Sequence, residues 1–463
     1  MDRIENRTFD EIAVGDSARL TRTLTHRDID LFETVCTDIN PAHLDAGFVK
    51  TEMFHKVISH GLWGNALIAS LLGAELPGPG SEYFAQSLRY HLPVKLGDIV
   101  TAVLKVTEKI ADGHRVTLDC RIVDQHGDVV VTGTVEVTAP QDKVSRQRTA
   151  SHGHELHEKG RGYRQLIAMT HGMAPLRTAV VHPVDANSLV GAVEAAREGL
   201  IIPILIGPLA KIRAIAELMQ IDLSPYEIID TEHSTDAAAK AVAMARDGTV
   251  EALMKGALHT DELLHAVVDA KTGLRTGRRL SHVFAIDAPR YPRPLLITDA
   301  AINVYPTLED KRDIVQNAID FAHALGIGSP KVALLSAVET VSPLIKSTLD
   351  AAALCKMADR GQITGGILDG PLAFDNAVSL EAAKTKGIVS PVAGMADIFV
   401  VPDLEAGNML AKQLEYLADA DIAGIALGAR VPIIITSRAD KTLSRLGSCA
   451  IALLLARHKE AKK

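Results

Sequence analysis

With 463 residues the chain is too long for one core, and at roughly 100–200 residues per domain it should hold two to four modules. Hydrophobic residues at 47% and charged residues at 23% exclude a disordered chain and a coiled-coil rod. Lys plus Arg number 49 against 57 Asp plus Glu, and the net charge of −8 excludes a general pull toward nucleic acid or anionic membrane, so anionic ligands need local basic pockets.

The first residues, "MDRIENRTFDE", lack an apolar signal core, and no apolar run approaches the roughly 20 residues that span a bilayer. Cys36, Cys120, Cys355 and Cys449 stand apart in apolar sequence with no CxxC pair. A soluble protein in the reducing cytoplasm is expected, with no metal and no bound cofactor.

Thr25 and Asp28 have capping-box spacing, which predicts a helix from there to Cys36. Asn40-Pro41 breaks it, and the corner lets Asp38 and His43 point into one space. A carboxylate and an imidazole on one water can remove a proton and return it elsewhere, the requirement for adding water across an activated double bond. "SHG" at 59–61 opens an apolar helix, so the Gly61 amide is placed to hold a developing enolate oxygen. From spacing alone a second reading stands beside this one: Asp38 as a helix cap and His43 as a satisfied polar group.

The stretch "HGLWGNALIASLLGAEL" is apolar nearly all round and reads as a buried helix. In "RVTLDCRIV" the apolar Val116, Leu118, Cys120 and Ile122 alternate with polar residues, and Val129, Val131, Val135 and Val137 repeat that period after "QHGD". An antiparallel hairpin with one buried face is the expectation. Together these stretches carry a resemblance: "TDINPAHLD", "ISHGLWGNALIASLLGAELPGPGS", "YFAQSLRYHLPVKLGD" and "VTGTVEV" resemble the MaoC-type R-specific enoyl-CoA hydratases. That resemblance implies an α+β hot-dog fold, an antiparallel sheet around a central helix. It also implies that Asp38 and His43 act on the catalytic water, that Asn40 supports them, and that Gly61 supplies the oxyanion amide. Thr37 departs from the family, which has Gly before the Asp. Edge-to-edge pairing of subunits is implied as well.

Residues 143–160, including "QDKVSRQRTASHGHELHEKGRG" in most of its length, are polar without apolar period and read as a linker between a first domain at 1–142 and a second at 161–463. His152, His154 and His157 lie there without the HExxH spacing or a nearby Cys, so no metal is assigned.

Beyond the linker, "IIPILIG", "VEALMKG", "RPLLITDA", "KVALLSA", "GGILDGP", "IFVVPD" and "VPIIITS" are short apolar strands, each followed by helical sequence. This is the pattern of an α/β domain with mostly parallel sheets in two subdomains. In "EDKRDIVQNAIDFAHALGI", Ile314, Ala318, Phe321, Ala322 and Leu325 share one helix face. Ligands collect beyond strand C-termini, where "TDAAINVYP", "DGPLAFDN", "PDLEAGN" and "TSRAD" fall. Substrate-binding candidates there are Asp299, Asn376, and Ser390 and Gly394 of "SPVAG". Ser437-Arg438 follows the strand "VPIIIT", and a guanidinium at a strand end is shaped to hold phosphate through two parallel hydrogen bonds. The plain alternative is a solvated strand-end charge. No Walker sequence or GxGxxG joins strand to helix, so nucleotide hydrolysis and nicotinamide chemistry have no handle.

Seven ordered stretches, among them "HPVDANSLVGAVEAAREG", "LMKGALHTDELL", "LITDAAINVYPTLEDKRDIVQNA" and "SPVAGMADIFVVPDLEAGN", resemble the phosphate acetyl/butyryltransferase family. The resemblance implies acyl transfer between CoA and inorganic phosphate. Ser437 would stabilise the CoA thiolate or the tetrahedral intermediate, and Arg438 would bind the phosphoryl group. Acetyl-specific members have Asp seven positions after the serine; Ser444 stands here, and Asp440 is the nearest replacement. "LSAVETVSP" and "TSRAD" look closer to butyryl-type members, which implies a longer acyl chain. The combined expectation is a bifunctional, homo-oligomeric enzyme acting on acyl-CoA, CoA and phosphate or acyl phosphate. A rival from another class keeps the hydratase and makes the second domain a silent oligomerising or acyl-CoA-sensing module.

Overall fold

The computed structural model describes residues 3–36, 62–147, 160–436 and 442–461. The chain divides into two compact units, Met1–Glu158 and Lys159–Lys463. Among the described residues no helix is long and apolar enough to cross a membrane.

The strands of the first unit are β1 (Arg3–Glu5), β2 (Ser17–Thr23), β3 (Glu82–Tyr90), β4 (Ile99–Ile110), β5 (Arg115–Val123), β6 (Val129–Thr138) and β7 (Ser145–Gln147). Five form an antiparallel sheet in the order β2-β4-β5-β6-β3. The alternation in β5 places Val116, Leu118, Cys120 and Ile122 inward, and Val131, Val135 and Val137 of β6 face the same core. Between them Gly133 is obligatory, because a Cβ there would lie 2.0 Å from the Ser87 carbonyl oxygen on β3. The helix Trp63–Ala74 packs on β2 and β4 through Trp63, Leu67, Ile68, Leu71 and Leu72. A sheet closed on one apolar helix is the hot-dog arrangement. One detail differs from expectation: the helix is buried on one face only. Ala66, Ala69, Ser70 and Gly73 are exposed, and such small residues raise mean hydropathy without needing a core.

Residues 143–147, read from the sequence as the start of a linker, belong to the first unit. β7 pairs antiparallel with β1. The buried Asn6 side chain ties them in, accepting from the Val144 amide at 2.8 Å and donating to the Asp142 carbonyl at 2.8 Å. The link joins positions distant in sequence, so no local pattern announces it.

The second unit contains β8 (Leu176–Val181), β9 (Ile201–Gly207), β10 (Glu227–Asp230), β11 (Ala252–Lys255), β12 (Ser281–Asp287), β13 (Leu295–Thr298), β14 (Lys331–Leu335), β15 (Ile367–Leu372), β16 (Ile398–Val400), β17 (Asp421–Leu427) and β18 (Ile433–Ile434). They make one mixed sheet of eleven strands in the order β10-β9-β8-β11-β18-β17-β12-β13-β16-β14-β15. The sheet consists of two parallel blocks, β10 to β18 and β13 to β15 in that order, joined through β17 and β12. β17 is antiparallel to β18, β12 to β17, and β13 to β12. Three reversals leave the blocks running oppositely, so their carboxyl ends lie at opposite edges of the sheet.

Helices cover both faces. Leu308–Ala324 starts in a Thr307–Asp310 capping box and buries Ile314, Ala318, Phe321 and Ala322, with Leu325 at its end packed on the same core. Thr442–Ala461 is buried from Ser444 to Leu455 and packs on β17 and on the helices Arg161–Met169 and Ala186–Arg197.

Candidate functional site

Asp38, Asn40, His43 and Gly61 lie outside the described residues; the elements that flank them do not. The helix His26–Cys36 ends immediately before this stretch. It begins with the predicted Thr25–Asp28 box, in which the Thr25 amide donates to Asp28 at 3.0 Å, and Arg22 pairs with the same buried carboxylate. On the far side, Trp63–Ala74 is entered through Leu62, which contributes no side-chain cap.

In the second unit the candidate residues divide between the two sheet edges. Asp299 and Asn376 belong to the edge where β13, β16, β14 and β15 end, and Ser390 and Gly394 lie in the segment that leads into β16. Asp299 directly follows β13 and is buried; its carboxylate accepts from the amides of Ala301, Ile302 and Asn303, each at 3.1 Å, and from the Asn303 side chain. Burial pushes this carboxyl above its usual range, against those hydrogen bonds. Asn303 accepts in turn from Arg279 at 2.8 Å and donates to the Leu280 carbonyl at 2.9 Å. Asn376 donates to Glu339, which Lys386 also holds at 2.6 Å; the Lys386 bond, then the Asn376 bond, keep Glu339 below the usual carboxylate range. The Asn376 Oδ1 is buried with no hydrogen-bond partner. Ser390 Oγ accepts from the amides of Val392 and Ala393 at 3.0 Å, which folds the "SPVAG" turn. Gly394 has φ +73 and a Cβ there would fall 2.4 Å from the Leu380 amide nitrogen, while its own amide donates to the Asn376 carbonyl at 2.7 Å.

A cavity of about 450 Å³ is lined in part by Tyr305, Lys311, Leu344, Lys346 and Asp350. Lys311 and Lys346 donate to the same oxygen of Asp350 at 2.8 and 2.6 Å. Burial opposes ionisation of Asp350, yet the two lysines outweigh it and hold the carboxyl low.

Ser437 and Arg438 lie outside the described residues. They follow β18, whose carboxyl end is at the other edge, with those of β8, β9, β10 and β11. The chain just before and after them is fixed: Arg445 donates to Thr436 at 2.9 Å, and Ser444 donates to the Ile422 carbonyl. Ser444, at the position of the family's Asp, is thus buried in the helix packing rather than turned to a site.

This edge also holds residues that sequence reasoning passed over. Lys255 ends β11 and is only 5% exposed. His182 directly follows β8, with φ +57 and a buried Nδ1 that has no partner. Burial first, then Lys211, hold its imidazole below the usual range, with Glu262 opposing them. Both residues lie in the stretches "HPVDANS" and "LMKG" that carried the family resemblance, which was the available signal.

The fold and these edges define a two-unit protein: a sheet-on-helix unit followed by an α/β unit with buried cationic and neutral polar groups at its strand ends. Residues 231–453 match the family described as phosphate acetyl/butaryl transferase, and residues 12–123 match the MaoC like domain. A phosphate acetyltransferase of Rhizobium meliloti is 62% identical over 299 residues, which is 65% of this chain and 95% of that protein. A phosphate butyryltransferase of Clostridium acetobutylicum is 40% identical over 299 residues, 65% of this chain and 99% of that protein. Among solved structures, a branched-chain phosphotransacylase from Enterococcus faecalis V583 matches with a TM-score of 0.54 at 29% identity, covering 61% of this chain and 99% of that one. The chain belongs to the phosphate acetyl/butyryltransferase family and carries a MaoC-like domain N-terminal to it.

Proposed function

We propose that the chain is a bifunctional acyl-CoA enzyme. Its first unit reversibly hydrates trans-2-enoyl-CoA to (R)-3-hydroxyacyl-CoA. Asp38 and His43 act on the water, Asn40 supports them, and the Gly61 amide stabilises the enolate oxygen. Its second unit moves an acyl group between CoA and inorganic phosphate. The CoA thiolate attacks the carbonyl of an acyl phosphate, a C–S bond forms, the C–O bond to phosphate breaks, and phosphate leaves. Ser437 stabilises the thiolate or the tetrahedral oxyanion, Arg438 holds the phosphoryl group, and Asp440, the carboxylate nearest in sequence, takes the thiol proton. Asp299 holds the turn after β13, Ser390 and Gly394 hold the segment that leads into β16, and the Asn376 Oδ1 is free to accept from a ligand.

The observation that carries this reading is the 62% identity to the Rhizobium meliloti acetyltransferase across nearly its whole length. Homo-oligomer formation is part of the proposal: β3 is an edge strand that exposes Tyr83, Phe84 and Tyr90, a row that a second copy would cover.

Phosphate-dependent CoA release from acetyl-, butyryl- and 3-hydroxybutyryl-CoA tests the second unit, and loss of the enoyl absorbance of crotonyl-CoA tests the first. Asp38→Ala should abolish hydration and leave transfer intact. No phosphate-dependent release from any of the three thioesters would end the transferase reading, and loss of both activities in Asp38→Ala would end the independence of the sites.

A further inference from the structure

The cavity of about 450 Å³ lies where the chain leaves β13, β14 and β16 for the helices that follow them. Tyr305 and Thr307 come from the first of these connections, Leu344 and Lys346 from the second and Asp403 from the third. Small-molecule sites commonly measure roughly 300–1,000 Å³, so the space is sufficient for a ligand of a few heavy atoms. Three helices start at its wall, and the amide end of a helix favours negative charge. Two of them supply that charge themselves: Thr307 and Asp310 box the start of Leu308–Ala324, and Asp403 accepts from the Ala406 amide at 2.9 Å at the start of Leu404–Leu417. The third, Lys346–Asp359, has Ile345 at its cap position, no side-chain cap bond and no acidic residue in its first turn. Its first residue is instead a lysine, the sign of charge that a helix N-terminus disfavours.

The side chains in the wall repeat this imbalance. Lys311, only 4% exposed, and Lys346 both donate to one oxygen of Asp350. One carboxylate offsets one ammonium, so the trio keeps an excess positive charge beside an uncapped helix start. Lys311 is fixed by burial and satisfies Asp350 at 2.8 Å. Lys346 is 70% exposed, so it can leave Asp350 for a ligand in the cavity at little cost. Tyr305 and Leu344, 73% and 94% exposed, add an apolar rim.

We propose that this cavity binds a small organic oxyanion, a carboxylate or a phosphate monoester, whose charged end meets Lys346 and the first amides of Lys346–Asp359 and whose apolar part lies against Tyr305 and Leu344. Lys311 and Asp350 stay paired as the fixed wall, and Lys346 is the arm that changes partner. The site is separate from acyl transfer: it belongs to the connections after β13, β14 and β16, while β8, β9 and β11 end at the opposite edge. The inference therefore stands whether or not the transferase reading does.

The test is calorimetric titration of the full chain, without CoA, using phenyl phosphate, inorganic phosphate and butyrate as probes. The wild type is compared with Lys346→Glu, Lys346→Ala and Lys346→Arg. Heat from phosphate bound at the acyl-transfer site is common to all four proteins, so the difference between them reports the cavity. Lys346→Glu should lose at least about tenfold in affinity for phenyl phosphate or butyrate, the size of one hydrogen bond to a charged group. Lys346→Ala should follow it, and Lys346→Arg should keep most of the wild-type affinity. Phenyl phosphate should bind more tightly than inorganic phosphate, because it alone carries a ring for Tyr305 and Leu344. A Lys346-dependent response to phenyl phosphate but not to butyrate assigns a phosphate ligand, and the reverse assigns a carboxylate; either supports the site. Thermal melting checks that the variants fold, and if Lys346→Glu melts early, Lys346→Ala carries the comparison. No difference between the wild type and a folded Lys346→Glu or Lys346→Ala for any probe overturns the proposal. Since no turnover is read, a protein that transfers no acyl group leaves the result unchanged.

Discussion

The two edges of the eleven-stranded sheet end differently. Where β13, β16, β14 and β15 finish, buried polar groups are bonded mostly to one another: Asp299 to three amides and Asn303, Asp350 to two lysines, Glu339 to Asn376 and Lys386. Where β8, β10 and β11 finish, His182 and Thr231 each keep a buried polar atom without a partner, and the helix caps His233 and His259 make no side-chain cap bond. Buried polar groups are normally satisfied, and a satisfied network makes rigid scaffold. Groups left open at strand ends cost stability in the free protein, a cost a ligand removes. The first edge is therefore read as framework apart from the partnerless Asn376 Oδ1, and the second as the proposed place where substrate charge is met.

Substitutions can break this contrast, because framework residues should cost stability and site residues should cost substrate binding. The largest effect is expected for Asp350→Ala. It leaves Lys311, whose side chain is 6% exposed, as an unpaired buried charge, and should destabilise the unit by roughly 3–5 kcal/mol. Chemical unfolding followed by circular dichroism measures it. A loss below 1 kcal/mol would mean that this edge is not framework. At the other edge, His182→Asn should behave in the opposite way. Asn tolerates positive φ, and no hydrogen bond of Nδ1 is lost. The melting temperature should hold while kcat/KM for phosphate falls about tenfold, a difference of roughly 1.4 kcal/mol. A fall in melting temperature without a kinetic change would make His182 framework too.

The contrast explains what the sequence did and did not disclose. Local signals were readable: the Thr25–Asp28 box sits within one helical turn, and the alternation of Val116, Leu118, Cys120 and Ile122 within one strand. The strands "IIPILIG" and "KVALLSA" stand out because they are short, apolar and bounded. β12 and β17 do not. β17 is the fully buried "DIAGIAL", whose Ala and Gly dilute the strand pattern, and the reversal of direction it introduces depends on partners more than a hundred residues away in the case of β12. Asp38, His43, Ser437 and Arg438 are proposed on spacing and family motif and lie outside the described residues. Lys255 was not legible, since a lysine at a strand end reads as a solvated charge; only the neighbours β8 and β18 bury it.

β12, the strand that joins the two blocks, yields a smaller effect. His282 is buried against Phe284 with ring centroids 4.3 Å apart, and burial holds its imidazole down to about 3. The free imidazole titrates near 6.5. Between these values the unfolded chain binds a proton that the folded one refuses, so stability rises with pH through that window and levels off above it. The contribution is at most about 1.4 kcal/mol per pH unit. His282→Gln should flatten the slope of unfolding free energy between pH 5 and 6 by about that amount. An unchanged slope would mean that the folded protein protonates His282 as readily as the unfolded one.

The smallest effect sharpens the reading of the framework edge from within. Lys346 donates to the same Asp350 oxygen as Lys311, but its side chain is 70% exposed where that of Lys311 is 6%. Water replaces an exposed ammonium at little cost, and the remaining lysine still pairs with the carboxylate, so Lys346→Ala should cost less than about 1 kcal/mol. Added salt should shrink even that difference, because an exposed pair is screened and a buried one is not. Equal losses for Lys346→Ala and Asp350→Ala would place the stabilisation in the charge count of the triad. Unequal ones place it in the burial of Lys311, which is what separates a framework ion pair from a surface one.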